Sequence, residues 1–270
     1  MDYEDLVLEK KAGIATITLN APDKMNALTA KMRESLPLVV QEVAKDDEVK
    51  VVIVTGAGRA FSAGGDVEWM KLVLDGTLNL SRYERFQVAG LGWGNIFPWL
   101  NKPVIAAVNG ACVGAGLAIA LSCDIRIVSE KAKFGSLYIL RALIPGCGMT
   151  YFLSRAVGTG KALELMLTGE LIDAVEAERL GITNRVVSPD ELMKITQELA
   201  SRIAQQPPIA LELTKRLVYH SKLDDITRHF EWETYAQQLC FQTEDFKESV
   251  AAFLDKRPQP DRKTSCRERV

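Results

Sequence analysis

The sequence predicts an α/β fold on three observations. Two apolar strand segments, 49–55 and 103–108, each run into a glycine-rich loop and then into a helix. No low-complexity linker cuts the 270 residues. From Thr150 onward helical patterns dominate, so a repeated strand, glycine loop and helix unit meets a separate helical layer or oligomer arm after about residue 200.

The elements follow in order. Segments 6–10 and 14–19 flank a turn at Gly13, and Ala15, Ile17 and Leu19 alternate with Thr16 and Thr18, the period of a half-buried hairpin. Met32, Leu36, Val39, Val40 and Val43 recur at helical spacing behind a Thr29 cap, and Pro37 inside this run is expected to kink or split the helix. The buried strand 49–55 leads into glycine-rich 56–66 and a short helix at 67–74. A less patterned stretch carries Tyr83, Phe86, Trp93, Phe97 and Trp99. Strand 103–108 then ends at Asn109 and Gly110, and Gly114, Ala115 and Gly116 open a helix over 117–122 that is apolar all round and so buried. A strand at 124–128, a turn at 181–183 and helix starts near Pro189 and at Pro207 and Pro208 complete the pattern. Residues 258–270 read as a disordered polar tail.

Composition narrows the function classes. The chain is 47% hydrophobic and 25% charged, with a formal charge of -2, so bulk charge marks neither a nucleic-acid binder nor a membrane-surface protein. A small-molecule partner is the default. The five cysteines are scattered and odd in number, which argues against a disulfide framework or a structural zinc site and suits a reducing cytoplasm. No signal peptide and no apolar run of about 18 residues is legible. The two histidines, His220 and His229, give a Ser/His/Asp triad or a histidine metal site almost no raw material.

The two glycine loops carry the chemistry. Each sets backbone at a helix N-terminus, where N–H groups lack intrahelical partners and the helix dipole favours negative charge. For either loop alone, tight turns and close helix packing explain the glycines. Two matching loops can converge on one oxyanion, with the N–H groups of Ala63 and Ala115 as the expected pair and Gly64, Gly65, Gly114 and Gly116 allowing close approach. A nucleotide reading of Gly56 and Gly58 after an apolar strand lacks the third glycine of the dinucleotide fingerprint, which leaves an NAD-dependent oxidoreductase as a distant alternative.

These residues resemble the enoyl-CoA hydratase/isomerase (crotonase) family over nearly the whole chain. The resemblance is carried by Phe61-Ser62-Ala63-Gly64-Gly65-Asp66, by 109–116 with Ser122-Cys123-Asp124-Ile125 behind, and by Asn26-Ala27-Leu28. Lys102-Pro103-Val104, Phe134-Gly135, Ile144-Pro145-Gly146, Leu167-Thr168-Gly169 and Phe253-Leu254-Asp255-Lys256-Arg257 add to it. It implies a crotonase-like ββα spiral over 1–200, C-terminal helices over 201–257 that build a homotrimer or a dimer of trimers, and a tail at 258–270. It also implies an acyl-CoA thioester whose carbonyl sits between the amides of Ala63 and Ala115, with coenzyme A as part of the substrate and no separate cofactor or metal. Met25, Ala27, Ala60, Gly64, Gly65, Asp66, Val67 and Gly114 would line the acyl and CoA path, and Phe253 and Lys256 the nucleotide end. Asp66 serves equally as a cap on the helix that begins at Val67.

The sequence departs from the family at one point of consequence. Family hydratases carry one glutamate three residues after the second oxyanion amide and another four residues after the Phe-Gly phenylalanine. Those positions hold Ala118 and Tyr138 here. Ala118 transfers no proton, and an ordinary phenol near pKa 10 acts as an acid or donor, or simply lines the pocket. The expected chemistry is therefore decarboxylation, ring opening, thioester hydrolysis or isomerisation, with a catalytically inert CoA-thioester binder as the alternative. Arg141, Cys147, Tyr151, Glu68 and Arg82 are further polar candidates, each also explicable as packing or surface.

Overall fold

In this computed structural model, residues 3–68, 96–141 and 143–221 are described, with positions 71, 75, 239, 243, 244, 248, 255 and 257. The chain opens with an antiparallel hairpin, β1 (Leu6–Lys11) and β2 (Ile14–Leu19). Helix α1 (Ala30–Lys45) is capped by Thr29, whose side chain accepts the Met32 N–H at 3.0 Å. Pro37 does not split it. The helix runs through, because Pro37 lies on the exposed side, where a lost N–H and a displaced carbonyl are met by water.

Three strand pairs then repeat one plan. They are β3 (Val51–Gly56) with β4 (Ala60–Ser62), β5 (Val104–Val108) with β6 (Ala111–Val113), and β7 (Ile125–Ser129) with β8 (Lys133–Gly135). The first strand of each pair joins a six-stranded sheet of order β1-β2-β3-β5-β7-β10, parallel apart from β1 against β2. The second joins a four-stranded sheet of order β4-β6-β8-β9, where only β9 (Ile172–Asp173) runs antiparallel. Helix α2 (Ala115–Ser122) follows β6, and α3 (Met149–Val157) follows the loop after β8. This is the ββα spiral. The three-residue strands of the small sheet are too short to show a period in the sequence.

Helices α4 (Thr159–Thr168) and α5 (Ala174–Arg179), strand β10 (Arg185–Val187), and helices α6 (Leu192–Ala204) and α7 (Pro208–His220) complete the described chain. The large sheet is buried on both faces, as parallel sheets require. Val52, Val54, Val104, Ala106, Val108 and Val128 face a core shared with α1 and α2, while Val51, Ile53, Ile105, Ala107 and Ile127 pack on Leu192 and Ala200 of α6. Every residue of α2 is buried, as its all-round apolar sequence predicts.

Helix α7 is latched by one ammonium. Lys215 Nζ stands 2.8 Å from Asp124 Oδ2 and donates to the carbonyls of Phe97 and Lys102 at 2.8 and 2.9 Å. Asp124 in turn accepts the Val104 N–H at 2.7 Å and the Tyr219 hydroxyl at 2.9 Å. Burial pushes the Lys215 ammonium below its ordinary pKa, and Asp124 opposes that shift. Lys215→Ala removes the cation from a half-buried carboxylate and one donor from each of two carbonyls. A loss of about 3 kcal/mol is expected in urea unfolding, and a loss below about 1 kcal/mol would show that water replaces the ammonium.

Candidate active site

The cleft is built by strand order. Because β4, β6 and β8 are parallel neighbours, with Ser62 opposite Cys112 and Val113 opposite Gly135, their C-terminal ends stand side by side and so do the segments that leave them. From β4 comes Ala63-Gly64-Gly65-Asp66, from β6 the Gly114-Ala115 start of α2, and from β8 Ser136-Leu137-Tyr138. Gly64, at φ 86°, leaves no room for a β-carbon, which would stand 2.7 Å from the Val113 carbonyl oxygen and 3.0 Å from the Ala115 nitrogen. The first two segments therefore touch backbone to backbone.

A hydrogen-bonded frame fixes the first segment. Asn26 is fully buried; its Oδ1 accepts the Ala21 N–H at 2.9 Å, and its Nδ2 donates to the carbonyls of Ala57 and Ala60, both at 2.8 Å. Ser62 Oγ donates to the Asn26 carbonyl at 2.7 Å and accepts the Gly64 N–H at 3.2 Å. Asn109 Nδ2 donates to Gly58 and Ala60 from the neighbouring unit. The roles of Ser62 and Asn109 are invisible in sequence, since their acceptors are backbone carbonyls placed by the fold.

One expected donor changes. The Ala63 N–H donates to the Met25 carbonyl at 2.9 Å, so it braces the loop instead of facing a ligand. Gly64 is engaged with Ser62, and Leu28 N–H closes on the Gly64 carbonyl at 2.7 Å. Among the described residues the Gly65 and Ala115 N–H groups have no acceptor, and the hydrogen-bond ledger corrects the pair from Ala63 with Ala115 to Gly65 with Ala115. No sequence signal separates Ala63 from Gly65; only the partner does.

The remaining candidates divide. Asp66 is buried and its Oδ1 accepts the Glu68 N–H at 3.0 Å, the capping role. Met25 lends its carbonyl, Ala27 is buried, and Ala60 lies inside β4 with its carbonyl tied to two asparagines. Gly65 and Val67 are exposed, and Gly114 is half-buried at the head of α2. Phe253, Lys256 and Arg82 lie outside the described residues, as do Tyr83, Phe86 and Trp93. Phe97 is core, and Trp99 is exposed. Glu68 pairs with Lys24 at 2.7 Å on the surface, Arg141 is exposed, and Tyr151 stacks under Arg155.

Ala118 is wholly buried in α2 and presents no polar atom. Tyr138 is half-buried, and its hydroxyl donates to the Gly146 carbonyl at 3.4 Å. Burial, then the neighbouring thiol, pushes this phenol far above its ordinary value. Burial likewise pushes Cys147 up, against the Tyr138 hydrogen bond and the Arg33 charge that lower it. Both are neutral near pH 7. Among the described residues no cluster of acidic, histidine or cysteine side chains could hold a metal, and no helix is long and apolar enough to cross a membrane. Two cavities, of about 720 and 840 Å³, lie along α7 and α6, away from the glycine loops.

The chain matches the family model described as Enoyl-CoA hydratase/isomerase over residues 9–262. It is 40% identical over 258 residues to the short-chain-enoyl-CoA hydratase of Clostridium acetobutylicum, covering 95% of this chain and 97% of that protein. It is 38% identical over 260 residues to the crotonyl-CoA hydratase of Syntrophomonas wolfei, with the same coverage. Among solved structures, the enoyl-CoA hydratase of Bacillus anthracis superposes with a TM-score of 0.87 at 31% identity, covering 95% of this chain and 98% of that one. Sequence and fold agree from end to end, and the chain belongs to the enoyl-CoA hydratase/isomerase (crotonase) family.

Proposed function

We propose that this protein binds an acyl-CoA thioester with the carbonyl oxygen between the Gly65 and Ala115 N–H groups, and that it stabilises the thioester enolate there. The observation that carries this reading is the pair of unpartnered amides on touching loops, one of them at the N-terminus of α2, where the helix dipole favours developing negative charge. Fixed backbone donors cost no reorganisation when charge appears.

The reaction is one that asks little of side-chain acids and bases. Ala118 offers no proton and Tyr138 stays a neutral phenol, so the pair that would activate water for hydration is missing. Decarboxylation of a malonyl-type thioester fits best: the C–C bond to the carboxylate breaks, its electron pair enters the enolate, carbon dioxide leaves, and the α-carbon then takes one proton. Ring opening, thioester hydrolysis and isomerisation draw on the same amides. The related hydratases named above favour hydration as the second reading, and a CoA-thioester binder without turnover is the third.

A mass-spectrometric panel of malonyl-, methylmalonyl-, crotonyl- and butyryl-CoA separates them. Crotonyl-CoA hydration is expected to be slow or absent, whereas turnover at tens per second, about the median for enzymes, would overturn the missing-pair argument. Ala115→Pro, which deletes one N–H, is expected to lower turnover of the active thioester about 10²- to 10³-fold in a variant shown to fold and to bind CoA. Undiminished turnover would place the oxyanion elsewhere.

Exchange of the α-hydrogens of butyryl-CoA in D₂O reads enolate formation directly. If Tyr138 takes such a hydrogen it does so as the phenolate, and a raised pKa means that the phenolate population still climbs where an ordinary phenol levels off near pH 10. The exchange rate is expected to rise steadily from pH 7 to about 10.5 and to lose that rise in Tyr138→Phe.

The same reading includes a homotrimer or a dimer of trimers. Leu140, Leu143, Ile144, Leu167, Leu171 and Val175 are exposed, more apolar surface than a lone chain commonly leaves in water. Light scattering at micromolar concentration should report three or six copies; a stable monomer would refute the assembly.

A further inference from the structure

The cavity of about 720 Å³ beside α7 takes no part in the enolate chemistry, and its size suits a small molecule. Leu121 of α2, Ile125 of β7, Phe152 and Ala156 of α3, Ile203 of α6 and Leu211 of α7 give it an apolar wall. Arg126 stands in the same wall. A guanidinium carries five N–H donors. Here Nε donates to the Ile182 carbonyl at 2.5 Å, and Nη1 donates to the carbonyls of Cys123 at 2.7 Å and Ala120 at 3.5 Å, at the C-terminal end of α2. These bonds fix the plane of the group and leave Nη2. Among the described residues Nη2 has no acceptor, nor is it sealed from the surface. The other charged groups on the wall do not cancel it. Asp124 is met by Lys215 and also accepts the Tyr219 hydroxyl, so that pair adds no net charge. Arg155, exposed at the rim over the Tyr151 ring, adds a second positive charge. Burial pushes the Arg126 guanidinium below its ordinary pKa, so the cation gains from an anion placed on Nη2.

We propose that this cavity is a second ligand site, separate from the acyl-CoA cleft, that takes an aliphatic carboxylate with its head on Arg126 Nη2 and its tail along α3 and α7. The wall asks for both halves of such a molecule. Two N–H groups on one nitrogen suit a single carboxylate, whereas a phosphate dianion needs more donors than Nη2 offers. The hydrocarbon tail covers the apolar side chains of α2, α3, α6 and α7, which otherwise face water across the cavity. The site stands apart from the enolate reading, which every outcome of its test leaves in place.

The test is calorimetric titration of the full-length protein with octanoate, octanol and inorganic phosphate. Octanoate should bind once per chain with a Kd of about 1 mM or lower, and octanol and phosphate at least about tenfold more weakly, because each lacks one half of what the wall recognises. Ala210→Trp fills the cavity from α7 without touching Arg126, and it should weaken octanoate at least about tenfold. Arg126→Gln should bring octanoate down to the affinity of octanol. Circular dichroism checks that both variants fold, and the comparison of the three probes on the unmodified protein does not depend on either. Octanoate that binds undiminished to folded Ala210→Trp sits elsewhere, the acyl cleft included, and overturns the proposal. Octanol or phosphate bound as tightly as octanoate overturns it too, and so does the absence of octanoate binding at about 10 mM.

Discussion

Parallel hydrogen bonding among three very short strands is the constraint from which the site follows. With β4, β6 and β8 side by side and pointing the same way, the segments that leave them must emerge at one edge, whatever their sequences. The small sheet holds this register only because the large sheet delivers each strand to it. Every pair spends its first strand in the buried six-stranded sheet and its second beside the cleft. Buried side chains with backbone acceptors then lock the layers together. Thr55 donates to the Ala107 carbonyl at 2.8 Å, Asn109 accepts the Gly56 N–H at 3.3 Å, and Asn26 binds two carbonyls and one N–H.

A site made from backbone has a particular electrostatic character. Its donors are partial charges at fixed positions, they do not titrate, and a substitution at Ala115 that keeps the backbone leaves its N–H in place. Asp66 beside Gly65 and Arg33 near Cys147 bring charge close to it. Tyr138 and Cys147 are both pushed up by burial, and Ala118 is silent. Strain lies in the same region: Leu137 at φ 49° and Cys147 at φ 56° are both left-handed positions that side chains avoid.

A reciprocal arrangement serves the other end of the fold. Lys102 reaches the carbonyls of Val43 and Asp46 at 2.6 Å each, closing the end of α1, while Lys215 closes on Asp124 and the carbonyls of Phe97 and Lys102. Two lysines thus add donors to carbonyls at the end of α1 and in the segment before β5, and they tie α1, β5 and α7 into one body. The cationic side chains here hold elements of the fold together.

The sequence by itself determined the α/β class, the hairpin, α1 with its Thr29 cap and the buried α2, because each is written in a local period or a capping residue that the chain carries wherever it goes. It also marked both glycine loops, since only glycine allows backbone to approach as Gly64 does. Tertiary structure alone decided the rest. The four-stranded sheet has no local signature, because three residues cannot display alternation. Pro37 leaves α1 intact because its ring faces solvent, a matter of which side the helix buries. The exchange of Ala63 for Gly65 as donor was settled by the Met25 carbonyl, from a loop nearly 40 residues upstream, which claims one amide and leaves the other open. Hydrogen-bond availability is a property of the partner, and partners are assigned by the fold.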